Sequence, residues 1–261
     1  MSAKSAAINL MQSFLGGILR SIPPVMRSRL YYLLVLLATD KKNPIESLQF
    51  LFQLDNALYS LEGGMAVIYG DGVHPKHRLT HYHDFFIAHL MKNDRVLDIG
   101  CGNGSLAYDL VTNRNDISVL GIDINLNNIE HAKKHYFHPH LEFVKGDVIK
   151  DLPDTHFTVI VLSNVLEHIK HRSELLADIQ KKINPDRYLI RVPLFERDWR
   201  VPLKKEIGIE YRLDGTHETE YLPEDFFAEL AAAGLTAIYN EFRWGELWCL
   251  AVPVSREGMG E

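Results

Sequence analysis

Between residues 95 and 253 the chain alternates short, continuously apolar runs with amphipathic segments. The apolar runs lack the polar alternation of half-exposed strands, so they predict a mostly parallel sheet that is covered on both faces. The amphipathic segments between them predict the covering helices, and together they indicate a doubly wound α/β fold. Seven strands are expected, from the runs RVLDIG, ISVLGID, LEFVKGD, FTVIVLSN, RYLIRVP, TAIYNEF and LWCLAVPV. The last two flank the connection RWGE and predict a terminal antiparallel hairpin.

The chain before the sheet has a helical pattern. Apolar residues from Ile8 to Ile22 recur at steps of three and four, and Pro23–Pro24 predicts the end of that helix. A second apolar run, LYYLLVLLA, is far shorter than the about 20 residues that a membrane-spanning helix needs. The first apolar stretch is amphipathic and contains Arg20, which a secretory signal peptide would not.

A third helix is predicted to begin at Asn43, because Asn caps helices well and the next residue is proline. Glu46 is placed to reach back to this cap. The helix is expected to run to about Leu61 and to end at Gly63–Gly64. A loop, YGDGVHPKH, then leads to one further helix, RLTHYHDFFIAHLM.

These patterns divide the chain into three predicted parts. Residues 1–43 form a basic helical arm, residues 44–93 a helical cap, and residues 94–261 the main α/β domain. The main domain contains an irregular insertion at about 194–221, after the fifth strand.

Charge separates the arm from the rest of the chain. Six basic residues and one acidic residue give the segment up to Asn43 a charge of +5. Since the net charge of the chain is −6, the remainder carries −11. An acidic main body argues against a nucleic-acid partner. The arm is expected either to pack on protein (the main domain, or a second subunit in a homodimer) or to lie on anionic lipid. The two cysteines, Cys101 and Cys249, have neither disulfide-framework nor zinc-site spacing, so the predicted location is the cytoplasm, with or without contact to the inner face of the membrane.

The stretch VLDIGCGNG, which closes the first predicted strand, indicates a ligand site. A dinucleotide fingerprint needs G-x-G-x-x-G, but glycines fall at Gly100, Gly102 and Gly104, and Ser105 occupies the last glycine position. Asp98 precedes the first glycine by two residues. A carboxylate there repels a pyrophosphate and favours a ligand that carries an ammonium and a sulfonium.

The pattern D-x-G-x-G-x-G resembles that of the class I S-adenosylmethionine-dependent methyltransferases, over about Arg95 to Pro253. The resemblance implies S-adenosylmethionine as the cofactor, with Asp123 holding both ribose hydroxyls and Ile124 covering the adenine. It also implies that Asp147 accepts a hydrogen bond from the adenine amino group and that the Val148 backbone N–H donates one to the adenine ring. The implied cofactor-binding residues are Asp98, Gly100, Cys101, Gly102, Asn103, Gly104, Asp123, Ile124, Asp147, Val148, Ser163, Arg78 and Tyr82.

Two segments are similar to the small-molecule branch of this family, which includes methyltransferases of quinone biosynthesis. These segments are LSNVLEHI and INPDRYLIRVP, although Asp186–Arg187 replaces the more common glycine pair. The segments GVHPKHRLTHYHDFF and VPLFERDWRVPLKKEIG resemble uncharacterised bacterial methyltransferases that are associated with surface-polysaccharide biosynthesis.

His168 is the candidate general base, because it follows the fourth strand at the sheet edge where ligands gather. The alternative is that it packs over the cofactor.

In the helix before the first strand, Arg78 is expected to meet the cofactor's carboxylate and Tyr82 its amino-acid end; the alternative is a solvated polar face. The insertion is predicted to form the acceptor lid, with Arg191, Trp199, Arg200, Tyr211, Arg212, Asp214, His217 and Glu220. No metal is predicted, since the cluster Asp214, His217 and Glu218 is of a kind that arises often by chance.

The expected function is methyl transfer, on oxygen, to a small or lipid-linked acceptor. Glycan, quinone-like and polyketide acceptors are open, as are nitrogen and carbon as the accepting atom. Two other classes of function are alternatives: a non-catalytic cofactor-binding scaffold or regulator, and a nicotinamide-dependent oxidoreductase, which the glycine register disfavours.

Overall fold

The computed structural model describes residues 13–71 and 73–254. The chain divides into two units between Gly64 and Met65. This division lies inside the segment 44–93 that the sequence analysis treats as one cap. The first described residues, 13–21, are helical, and the helix stops before Pro23–Pro24 as the sequence predicts.

Helix α1 (Pro24–Leu37) contains no buried residue. Its exposed apolar side chains are Val25, Met26, Leu30, Tyr31, Tyr32, Leu33, Leu34, Leu36 and Leu37. In the part of the chain that the structure describes, no helix combines the length and the hydrophobicity required to cross a bilayer.

Helix α2 spans Pro44–Tyr69, and the Asn43 side chain bonds to Glu46 at 2.6 Å as expected for its start. The predicted end at Gly63–Gly64 is wrong. A glycine ends a helix by adopting the left-handed conformation, and neither of these glycines has a positive φ. The left-handed turn falls instead at Asp71, whose φ is 51°, after Gly70 has donated to the Ala66 carbonyl.

The second unit is built on a seven-stranded sheet. Its strands are β1 (Arg95–Ile99), β2 (Ser118–Asp123), β3 (Leu141–Lys145), β4 (Val159–Ser163), β5 (Arg187–Pro193), β6 (Leu235–Arg243) and β7 (Glu246–Pro253). They lie in the order β3-β2-β1-β4-β5-β7-β6. The first five strands are parallel, and β7 is antiparallel to both β5 and β6. The predicted α/β class, the seven strands and the terminal hairpin are therefore confirmed.

Helices lie before and between these strands in the chain, and five of them cover the two faces of the sheet. These helices are α3 (Lys76–Thr80), α4 (Tyr82–Ala88), α5 (Ser105–Asn113), α6 (Leu126–His135), α7 (Arg172–Lys182), α8 (Arg200–Glu206) and α9 (Pro223–Ala232), with 3-10 turns at Leu166–His168 and Phe195–Arg197. Side chains of α4, α5 and α6 share one buried cluster, and those of α7 and α9 share the other. Val96 of β1 belongs to one cluster and Leu97 and Ile99 belong to the other, so apolar side chains project from both faces of the strand.

The single helix predicted from RLTHYHDFFIAHLM is wrong, because it is broken at His81. This residue has a φ of 51° and separates α3 from α4. The break allows Tyr82 and His83 to turn into the core, where both are buried.

The replacement of the usual glycine pair before β5 has a structural role. The Arg187 guanidinium donates to both carboxylate oxygens of Asp94, at 2.7 and 2.6 Å, and both side chains are largely buried. This ion pair joins the start of β5 to the residue that precedes β1.

Candidate active site

The glycine loop after β1 is held by the end of β2. The Gly102 N–H donates to Oδ2 of Asp123 at 2.9 Å, and the Gly100 N–H donates to the Ile122 carbonyl at 2.8 Å. Gly102 has a φ of 54° and space around its Cα, so the backbone there is open to a ligand. Gly104 has a φ of 86°, and a side chain there would collide with the Phe143 ring at 2.7 Å.

Asp98 is a buried carboxylate that forms no ion pair with any of the described residues. It is 1% exposed, and its Oδ2 has no hydrogen-bond partner among the described residues. Burial, with a smaller contribution from Asp123, raises the pKa of Asp98 to about 8. A buried unpaired carboxylate is costly, and a bound cation removes that cost.

A cleft of about 220 Å³ opens beside Asp98. Seven of the predicted cofactor residues line it, namely Asp98, Gly100, Cys101, Gly102, Asn103, Ser163 and Tyr82. It is also lined by Lys76, His77, Ser105, Leu106, Asn164 and Arg191, which the sequence analysis does not assign to the cofactor.

Arg191 is the main correction to the predicted lid. It lies within β5 and is 6% exposed, because the β5–β7 pairing brings it beside Glu246, to which it donates at 2.8 and 2.9 Å. Its guanidinium is 4.3 Å from the Tyr82 ring centroid and 5.1 Å from that of Trp248. Arg191, on the strand next to β4, therefore belongs to the cleft and not to the insertion.

Tyr82 and His77 both line the cleft and contact each other. The Tyr82 hydroxyl and the Nδ1 of His77 are 3.1 Å apart. Burial and the neighbouring His83 lower the pKa of His77 to about 4, so its ring is neutral and can accept a hydrogen bond from the Tyr82 hydroxyl. Burial raises the pKa of Tyr82 to about 12, so the phenol stays protonated.

Arg78 does not join this cleft. It lines a neighbouring cavity of about 360 Å³, together with His74, His81, His83 and Asp109, and the two cavities share His77. Lys76, two positions earlier on α3, faces the cleft instead. Desolvation and the nearby Arg191 lower the pKa of Lys76.

The predicted ribose and adenine residues lie at the carboxyl ends of β2 and β3. Oδ1 of Asp123 accepts from the Asn125 N–H at 2.7 Å, and Ile124 beside it is 66% exposed. Asp147 is paired with Lys150 at 3.0 Å, and this hydrogen bond lowers its pKa. Val148 packs partly against the core. Of these residues, Asp123 adjoins the cleft through its hydrogen bond with Gly102.

The predicted base, His168, lies in a second cluster after β4. Its Nδ1 is 2.9 Å from the Thr216 hydroxyl, and its ring lies 4.6 Å from that of His217, edge to face. Burial, followed by His217, lowers the pKa of His168. Its neighbour Glu167 is fully buried, and this burial raises the pKa of Glu167 to about 7. The structure therefore brings His168 together with the insertion and not with the glycine loop.

The sequence resembles that of known methyltransferases. The profile of a family described as "Methyltransferase domain" matches residues 73–240. The mitochondrial ubiquinone biosynthesis O-methyltransferase of Schizosaccharomyces pombe is 33% identical over 101 residues, 37% of this chain and 36% of that protein. The phosphoethanolamine N-methyltransferase of Triticum aestivum is 28% identical over 152 residues, 56% of this chain and 30% of that protein. The chain spans about a third of the length of these relatives.

Solved structures share the fold. Human N-acetylserotonin methyltransferase, in complex with S-adenosylmethionine, superposes with a TM-score of 0.56 at 20% identity, over 74% of this chain and 57% of that one. Magnesium protoporphyrin IX methyltransferase from Synechocystis, with bound S-adenosylhomocysteine, superposes with a TM-score of 0.54 at 17% identity, over 66% of this chain and 82% of that one. Since the family profile covers more than half of the sequence, the chain belongs to the methyltransferase-domain family, as a class I S-adenosylmethionine-dependent member.

The cleft suits the cofactor of this class. The unpartnered Asp98 oxygen provides the acceptor that an ammonium requires, and Lys76 and Arg191 provide positive charge for a carboxylate. The open backbone at Gly102 provides room for close approach. Asn164, whose side-chain Oδ1 is also buried without a partner within the described ranges, adds a further acceptor.

Proposed function

We propose that this protein transfers the methyl group of S-adenosylmethionine to an oxygen atom of a small or lipid-linked acceptor, of the glycan or quinone-like kind. The observation that carries the proposal is the Asp98 carboxylate, buried and unpartnered beside a glycine loop that is open at Gly102. The ubiquinone biosynthesis O-methyltransferases among the relatives support oxygen as the accepting atom.

The cleft residues bind and orient the cofactor, which supplies an electrophilic methyl group on a sulfonium sulfur. Asp98 accepts from its ammonium, and Lys76 and Arg191, in place of the predicted Arg78, attract its carboxylate. Asp123 keeps the glycine loop in register through Gly102 and retains lone pairs for the ribose. Positioning of this kind supplies most of the acceleration in a direct displacement.

An oxygen acceptor must also lose a proton, and His168 is the proposed base. Its lowered pKa keeps the imidazole neutral near pH 7, and its Nδ1 is held by the Thr216 hydroxyl. The second ring nitrogen is then available to take a proton.

The proposal is tested by incubating the protein with methyl-labelled S-adenosylmethionine and an extract of lipids and glycans from its source. Label is expected in a hydroxyl-bearing component, as an alkali-stable methyl ether. His168→Ala is expected to lower turnover far more than cofactor affinity, measured by calorimetry. Cofactor binding without label in any component would favour the scaffold alternative, and saturation by a nicotinamide dinucleotide would favour the oxidoreductase.

The first unit supports a separate proposal, that α1 rests on an anionic lipid surface. Its apolar side chains are exposed around the whole helix, two of them tyrosines. Arg27 and Arg29 lie in its first half, and Lys41 and Lys42 follow its end. Apolar burial combined with basic flanks is the combination that interfacial helices use.

A further inference from the structure

A buried carboxylate outside the cofactor cleft has no hydrogen-bond partner. Glu167 follows β4 in a 3-10 turn, its side chain is fully buried, and neither Oε1 nor Oε2 has a partner in the described part of the chain. Buried carboxylates in proteins are nearly always paired, hydrogen-bonded or bound to a metal ion. The two unpartnered oxygens therefore indicate that a ligand belongs beside them.

Two histidines adjoin this carboxylate. His168 comes from the same turn and His217 from the insertion, and their rings lie edge to face at 4.6 Å. One potential ligand atom from each of Glu167, His168 and His217 lies within 4.8 Å of the other two. Donor atoms of a tetrahedral site, at bond lengths of about 2.0–2.2 Å, are about 3.3–3.6 Å apart, so side-chain rotations that move the donors inward by about 1 Å bring all three to one ion.

Both imidazoles are held by outer partners, as in metal centres. The Nδ1 of His217 is 3.0 Å from Oε1 of Glu220, and the Nδ1 of His168 is 2.9 Å from the Thr216 hydroxyl. Each ring then has its Nε2 available for a ligand. A carboxylate or hydroxyl on the far nitrogen fixes the ring orientation of ligating histidines in this way.

The outer partners are themselves fixed. Glu220 pairs with Arg197 at 2.5 Å and accepts from the Leu213 N–H at 2.7 Å. The Glu167 carbonyl accepts from the Glu218 N–H at 2.7 Å, which ties the insertion to the turn that carries the other two ligands. The three side chains are thus assembled from two segments by contacts that do not involve them as ligands.

We propose that Glu167, His168 and His217 bind one Zn²⁺ ion, with at least one coordination position left for an oxygen ligand. Two imidazoles and one carboxylate with an open position form a known catalytic donor set for Zn²⁺. Mg²⁺ prefers oxygen ligands alone, so it is expected to bind weakly here. The proposal departs from the sequence-based expectation of no metal, which concerned the cluster Asp214, His217 and Glu218.

The ion gives His168 a different role from that of a base. With Zn²⁺ bound, His168 is a ligand, and the acceptor hydroxyl is the oxygen that fills the open position, a point that rests on the proposed function. A metal-bound hydroxyl loses its proton more readily than a free one, here to solvent water, and its oxygen would then take the methyl carbon as the carbon–sulfur bond of the cofactor breaks.

The site is tested with the full-length protein, stripped with a chelator and titrated with Zn²⁺ alone, without cofactor or acceptor. One equivalent is expected to bind, with an affinity far above that for Mg²⁺, and Co²⁺ is expected to give a visible absorption band. Glu167→Gln and His217→Gln should each weaken Zn²⁺ binding by more than the about 10–100-fold that loss of an outer partner costs, and Glu220→Gln should fall within that range. Circular dichroism establishes that each variant is folded.

The matched control is His171→Gln, since His171 lies three residues from His168 but is 67% exposed. It is expected to leave the Zn²⁺ affinity unchanged. The assignment would be overturned if the wild type bound less than a tenth of an equivalent of Zn²⁺, or if it preferred Mg²⁺. It would also be overturned if the Glu167→Gln and His217→Gln variants bound Zn²⁺ as tightly as the wild type does. Because no methyl transfer is measured, a failure of the proposed function would leave this titration unaffected.

Discussion

Asp98 and Asp123, on the adjacent strands β1 and β2, have unequal partners. Asp123 accepts backbone hydrogen bonds from Gly102 and Asn125, whereas Oδ2 of Asp98 accepts none from the residues the structure describes. One carboxylate therefore holds the glycine loop in place, and the other keeps a buried acceptor for a ligand.

Asp98→Asn is expected to weaken S-adenosylmethionine binding by about 10–100-fold, because a charge-assisted hydrogen bond is lost. Calorimetry measures this loss. The exposed Asp154 provides the control Asp154→Asn, which should bind as the wild type does. If the Asp98→Asn variant bound S-adenosylmethionine as tightly as the wild type does, the cofactor's ammonium would not bind at Asp98.

The same substitution is expected to change how the stability of the free protein depends on pH. The pKa of Asp98 rises from 3.8 to about 8 on folding. The stability that its protonated form contributes to the folded protein is therefore fully present below about pH 4 and is lost as pH rises through about 8. Asparagine does not titrate, so Asp98→Asn should be more stable than the wild type at pH 8.5, by about 1–3 kcal/mol. Thermal melts at pH 5 and pH 8.5 test this, and an equal pH dependence of both proteins would contradict it.

Gly104→Ala is expected to lower the free energy of unfolding by about 2–5 kcal/mol. It adds a Cβ at a φ of 86°, and that atom would lie 2.7 Å from the Phe143 ring and 2.8 Å from the Ala132 Cβ. Gly208→Ala is the control, since Gly208 has a φ of 74° but no atom within 4 Å of an added Cβ. It should cost only about 1–2 kcal/mol. Equal losses in urea denaturation would show that packing against Phe143 has no part in the effect.

Arg187→Met is expected to destabilise the protein by about 3–5 kcal/mol, because it leaves the Asp94 carboxylate buried without its partner. The double variant Arg187→Met/Asp94→Asn removes that stranded charge and should recover part of the loss. Denaturant unfolding of both variants measures the difference. A double variant less stable than Arg187→Met would contradict this account.

The full-length protein is expected to co-sediment with phosphatidylglycerol vesicles at low salt and not with phosphatidylcholine vesicles. Arg27→Gln/Arg29→Gln should weaken binding by about 30-fold, at about 1 kcal/mol per basic residue. Lys133→Gln/Lys134→Gln makes the same charge change on α6 and should have no effect. A protein that stays in the supernatant as a dimer would assign the apolar surface of α1 to a second copy of the chain.

Local sequence patterns predicted the strands well because each is a short apolar run between turn residues. They failed at Gly63–Gly64, because glycine can continue a helix as well as end one, and at His81, whose left-handed conformation no local pattern indicates. The glycine pair remains helical in α2, and His81 adopts a left-handed conformation that buries Tyr82.

The sequence by itself determined the α/β class and the residues of the glycine loop, because both depend on spacing along the chain. Only the tertiary structure decided which distant side chains meet. It placed Arg191 in the cleft through the pairing of β5 with β7, moved Arg78 to another cavity, and brought His217 to Glu167 from 50 residues away. Such encounters depend on strand order and on the path of the insertion, and neither is encoded in a local periodicity.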